Sequence, residues 1–146
     1  MDIEDNVANA WYIKGLTLAK SDHIQEAIQC FDKTIEIDPN NAKAWHNKGF
    51  ALSKLGQHKE AIKFYDRAIE IDPSLGTAWY NKGISLDKLG YIQEAIRCFD
   101  KTTEIEPNSM TAWFTKGVVL DDLGQHQDAI KCYDKGYQTT FNKSNL

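Results

Sequence analysis

Apolar residues recur along this chain on two alternating helical stripes. Trp11, Gly15 and Leu18 make the first, and the same spacing returns at Trp45, Gly49 and Leu52, at Trp79, Gly83 and Leu86, and at Trp113, Gly117 and Leu120. At about 100° per residue these positions share one face of an amphipathic helix, with Lys14, Lys48, Lys82 and Lys116 at its margin. A second stripe follows each time, an Ala-Ile step and then an aromatic: Ala27 to Phe31, Ala61 to Tyr65, Ala95 to Phe99 and Ala129 to Tyr133. Leu55-Gly56, Leu89-Gly90 and Leu123-Gly124 separate the stripes as helix stops whose glycine can take a positive φ. Ser21-Asp22 stands there first, and Asp visits the left-handed region more readily than most residues. Pro39, Pro73 and Pro107 end the second helices, because proline disfavours helix at the residue before it. No strand–helix–strand alternation occurs.

The pattern repeats every 34 residues, giving units at 8–41, 42–75, 76–109 and 110–143, with an acidic leader at 1–7 and a tail at 144–146. Position 1 of the unit is residue 8, 42, 76 or 110. One helix pair cannot bury its own apolar stripe, so the pairs must stack. Glycine at position 8 of the unit lets the second helix come close. The expected fold is all-α, four stacked helix pairs in a single domain over 8–143.

Composition narrows the function. The chain is 42% hydrophobic and 26% charged, with net charge −4 and three prolines, which excludes disordered, collagen-like and disulfide-scaffold classes. No apolar run approaches the ~20 residues a bilayer span needs, and the acidic Met1–Asp5 start is not a secretory signal. Without a basic stripe the chain is a poor partner for nucleic acid. Neither a membrane nor a nucleic-acid partner is expected. Cys30, Cys98 and Cys132 all fall at position 23, too far apart in stacked pairs to bridge, and read as small packing residues in a reducing, cytoplasmic setting. His23, His58 and His126 sit at turns, and no metal-ligand spacing occurs. The recurring Asp32, Asp66, Asp100 and Asp134, with Glu26, Glu60, Glu94 and Asp128, read as charge pairs along helices. No phosphate loop or nucleophile elbow is present, so no enzyme activity, cofactor or metal is expected.

The Trp–Gly–Leu–Ala–aromatic–Pro series at 34-residue spacing resembles the tetratricopeptide repeat over residues 8–143. Lysine at position 7, Gly136 at position 27 and Phe141 in place of the closing proline depart from its pattern. The resemblance implies a right-handed superhelix whose first helices line a concave groove. A helical wheel likewise sets positions 2, 5, 6, 9, 12 and 13 opposite the Trp–Gly–Leu stripe.

The groove would then present Tyr12, His46, Tyr80 and Phe114 at position 5 and Leu16, Phe50, Ile84 and Val118 at position 9. Asn47 and Asn81 stand at position 6 and Lys43 at position 2. Such a row either pads neighbouring first helices or takes a partner segment. Tyr80 and Phe114 are the expected contacts and Asn47 and Asn81 the expected hydrogen-bond donors to a bound backbone. Some co-chaperones of the family clamp a peptide carboxylate at these positions. The corresponding residues here are Tyr12, Leu16, Asn47, Thr77 and Asn81, or His46, Phe50, Asn81, Thr111 and Thr115, which lack the cationic donors. The expected function is a non-catalytic scaffold holding a protein or peptide in the groove. The alternatives are the recruiting part of a larger enzyme and a self-assembling module. In the last, homo-oligomers form through uncapped ends around Tyr133, Tyr137 and Phe141.

Overall fold

Gly56, Gly90 and Gly124 turn the chain between paired helices with φ of +77°, +85° and +79°, and Asp22 does the same at +64°. The computed structural model describes residues 2–144. These form eight α helices: α1 (Ile3–Lys20), α2 (Ile24–Ile37), α3 (Ala42–Lys54), α4 (His58–Ile71), α5 (Gly76–Lys88), α6 (Ile92–Ile105), α7 (Met110–Asp122) and α8 (His126–Ser144). Each odd helix packs on the even helix after it, and α3, α5 and α7 also on the one before, so the molecule is an all-α helical repeat solenoid. α2, α4 and α6 stop two residues before Pro39, Pro73 and Pro107. α8 meets no proline and continues to Ser144. At the other end an Asp2–Asp5 capping box starts α1 at Ile3, so residues 3–7 of the leader are helical. Met1 of the leader and Asn145 and Leu146 of the tail lie outside the described residues.

The close approach within each pair rests on one glycine and one ring. A Cβ on Gly15 would lie 2.6 Å from Phe31, and one on Gly83 would lie 2.6 Å from Phe99. Tyr65 stands against Gly49 and Tyr133 against Gly117 in the same way. Phe31, Tyr65 and Phe99 are fully buried, together with the small Ala27, Ala44, Ala61, Ala78, Ala95 and Ala112. The core is therefore alanine and ring. The four tryptophans lie half-exposed along the outer wall. Three of them are tied across the repeat boundary, where Nε1 donates to the carbonyl of Pro39 (2.8 Å), Pro73 (2.9 Å) or Pro107 (2.9 Å).

The lysine at position 7 also works across that boundary. Lys48 reaches Asp32 at 2.5 Å, Lys82 reaches Asp66 at 2.6 Å and Lys116 reaches Asp100 at 2.6 Å. The in-phase aspartates thus join consecutive repeats, which corrects their reading as helix pairs. On its own helix no basic residue lies three or four places from Asp32, and the adjacent Lys33 pairs with Glu36 as Arg67 does with Glu70. The position-19 acids fit the helix-pair reading in two repeats, as Glu60–Lys63 and Asp128–Lys131.

Candidate functional site

The face formed by α1, α3, α5 and α7 carries every residue expected in the groove, but the rows differ in what they leave free. Position 5 is committed to the fold. The rings of Tyr12, His46, Tyr80 and Phe114 lean on the position-24 aromatic of their own repeat, Phe31, Tyr65, Phe99 or Tyr133, with centroids 6.1, 5.7, 5.9 and 5.4 Å apart. Each of the first three also bonds position 6 of the next repeat. Asn47 Nδ2 donates to the Tyr12 hydroxyl at 3.0 Å, His46 Nε2 and Asn81 Nδ2 lie 2.8 Å apart, and the Tyr80 and Thr115 hydroxyls meet at 3.1 Å. Asn47 and Asn81 therefore brace neighbouring helices, and Tyr80 is half-buried with its hydroxyl engaged.

Burial in this ladder moves its titrating groups. It lowers His46 to about 4, so the ring is neutral near pH 7. Burial also raises the Tyr12 hydroxyl, an effect that the Asn47 hydrogen bond opposes. Tyr65, deeper still, is pushed up to about 12.

Phe114 has no hydroxyl and a different solution. Its ring lies edge-on to Tyr137, with centroids 5.1 Å apart, and a Cβ on Gly136 would be 2.7 Å from it. Gly136 departs from the repeat pattern because this ring occupies the space of its side chain.

Position 9 and its flanks stay open. Phe50 is 38% exposed and Val118 49% exposed, while Ile84 between them and Leu16 on α1 are half-buried. Lys54 Nζ rides 5.0 Å over the Phe50 ring, and Lys43 is exposed at the rim. A depression of about 200 Å³ opens beside Phe50, bounded by Asn47, Lys54, Lys20 and Ile24. Ile13, 53% exposed, extends the apolar strip on α1. Neither Ile13 nor Ile24 was among the expected contacts. Ile13 stands at position 6, on the expected face, but the asparagines there are the ones the sequence singles out; Ile24 belongs to a second helix.

Of the turn histidines, His23 bonds Ser21 at 3.0 Å and His126 bonds Asp121 at 2.5 Å, while His58 lies 3.4 Å from the Ser85 hydroxyl of the next repeat. Cys30, Cys98 and Cys132 are free and buried, and burial pushes the Cys98 thiol up to about 11. Among the described residues no helix is long and apolar enough to cross a membrane.

Comparison with known proteins agrees with this architecture. Family models described as Tetratricopeptide repeat match residues 8–41, 42–75, 76–109 and 98–131. No curated protein matches the chain in sequence. A crystal structure of MamA overlays with TM-score 0.89 at 24% identity, covering 97% of this chain and 83% of that one. The first repeat domain of Spaghetti (RPAP3), bound to the HSP90 peptide SRMEEVD, overlays with TM-score 0.79 at 24% identity over 82% of this chain and 94% of that one. YrrB, described as having an unusual peptide-binding site, gives TM-score 0.76 at 24% identity over 97% and 76% of the two chains. At this identity the likeness is one of fold.

Proposed function

We propose, on the premise that the chain belongs to the tetratricopeptide repeat family, that it is a non-catalytic scaffold holding a partner polypeptide along the face of α1, α3, α5 and α7. The observation that carries this reading is the open apolar strip of Ile13, Phe50 and Val118 beside a row of side chains already consumed by the fold. An exposed apolar strip with a polar rim suits a partner's side chains. Lys20, Lys43 and Lys54 make the α1–α3 end basic, and Asp121 and Asp122 make the α7 end acidic. The partner segment therefore carries apolar anchors, with its acidic part over repeats 1 and 2 and its basic part over repeat 4. The HSP90 peptide bound by Spaghetti is not the expected ligand, since the positions that would clamp its carboxylates are Tyr12, Leu16, Asn47, Thr77 and Asn81 here.

Phage-displayed peptides selected on the wild-type protein test the reading when measured again on Phe50→Asp/Val118→Asp. Both sites are surface positions, so the melting curve should hold while affinity falls at least about tenfold, a loss of about 1.4 kcal/mol. Peptides that bind both proteins equally would refute the groove.

A second reading draws on the faces of α1 and α8. Ile3, Val7, Tyr137 and Phe141 are all exposed. These faces suit a further repeat or a second copy, and sedimentation at several concentrations distinguishes self-association from its absence.

A further inference from the structure

Position 23 is cysteine in repeats 1, 3 and 4 and Phe64 in repeat 2. There the Phe64 ring lies on Trp45, with centroids 5.7 Å apart and planes 26° apart, and Lys48 Nζ sits 4.3 Å above it. Where the residue is cysteine, that volume is open. In repeat 3 a notch of about 460 Å³ lies between Trp79, Lys82 and Leu86 of α5 and Arg97 and Cys98 of α6. Its equivalents are about 480 Å³ beside Trp11 and Cys30 and about 350 Å³ beside Trp113 and Cys132. An apolar cavity of roughly 150 Å³ already holds a benzene ring.

These notches lie on the side of the odd helices opposite the Phe50–Val118 strip, so they form a second surface. Their lysines are already poised over an aromatic face, Lys14 at 5.3 Å, Lys82 at 5.8 Å and Lys116 at 5.7 Å from the tryptophan centroids. In repeat 3 the rim cations Lys82, Arg97 and Lys101 are matched by Glu94, Asp100 and Glu104, so the rim carries no net formal charge.

We infer that the Trp–Cys notches of repeats 1, 3 and 4 are binding sites for a neutral aromatic side chain of a partner polypeptide, which enters as Phe64 does in repeat 2. The guest ring stacks on the tryptophan, rests against the cysteine and lies under the lysine ammonium. Repeat 2 carries its own occupant and is closed. Repeat 2 also shows that a phenylalanine at position 23 is compatible with the same helix pair, so filling a notch preserves the fold.

The test titrates N-acetyl-L-phenylalaninamide into the whole protein and follows the four indole N–H signals by NMR. Trp11, Trp79 and Trp113 should shift with saturation, and Trp45 should not. Cys98→Phe should remove the Trp79 response and spare Trp113, while Phe64→Cys should give Trp45 a response it lacks. Each variant is first shown to keep the wild-type helical spectrum, and the two substitutions test the same assignment in opposite directions. N-acetyl-L-leucinamide should produce shifts at least about threefold smaller. No response at the solubility limit of the probe would overturn the inference. So would an equal response at Trp45, equal shifts with the leucine compound, or a Trp79 response that survives Cys98→Phe.

Discussion

Gly83→Ala should destabilise the array although alanine is the better helix former. The added methyl would stand 2.6 Å from Phe99 Cε1 and 3.0 Å from both Cδ1 and Cζ. Phe99 is fully buried and has the Tyr80 ring 5.9 Å away, so it cannot retreat without moving a second ring. Overpacking of this kind costs about 1–3 kcal/mol, against about 1 kcal/mol gained in helix propensity. The net loss is up to about 2 kcal/mol, which lowers Tm by as much as roughly 8 °C for a chain of this size. Circular dichroism melts of Gly83→Ala, Phe99→Leu and the double variant measure it. The smaller leucine should recover part of the glycine penalty, giving a favourable coupling of at least about 0.5 kcal/mol. Gly90→Ala is the matched control: nothing lies within 4 Å of its Cβ, and its cost comes from φ of +85°. It should lose a similar amount and show no coupling to Phe99→Leu. A Gly83→Ala protein that melts at or above wild type, or that fails to couple to Phe99→Leu, would refute the glycine–ring account.

Three further outcomes are expected. His46 is lowered to about 4 by burial, below the ordinary 6.5, so the unfolded chain binds its proton first and stability present above pH 6.5 is lost as pH falls toward 4. His46→Tyr, which copies Tyr12 and Tyr80, should flatten that slope in urea titrations; an unchanged slope would assign the acid sensitivity elsewhere. Phe99→Ala should cost about 3–5 kcal/mol and Trp79→Ala less, because the tryptophan is only half-buried. The opposite order in chemical denaturation would place the core wrongly. The Cys98 thiol, raised to about 11, should react with iodoacetamide at pH 8 about 100-fold more slowly in the native protein than in urea, and equal rates would contradict its burial.

The helix count, the turns and the stacking were all legible along the chain. A 34-residue phase repeated four times leaves few alternatives, and glycine, proline and the Asp22 turn mark the ends by local backbone sterics alone. The candidate site was legible only as a face. The residues expected in a groove share the odd helices, yet the two singled out for contact, Tyr80 and Phe114, are largely taken up by Thr115, Phe99, Tyr133 and Tyr137. A helical wheel gives the direction of a side chain and not what the next repeat places beside it.

Sequence by itself thus determined the fold, because hydrophobic period, turn chemistry and glycine spacing act within one helix or one pair of neighbours. Tertiary structure alone decided how the shared positions are used. Lys48, Lys82 and Lys116 find their aspartates one repeat back, Tyr12 and His46 find asparagines one repeat forward, and Phe50 and Val118 are left to solvent. Those partners are 16 to 35 residues away along the chain. Their pairing depends on the pitch and rotation of each repeat on the next, and that geometry exists only after the helices have packed.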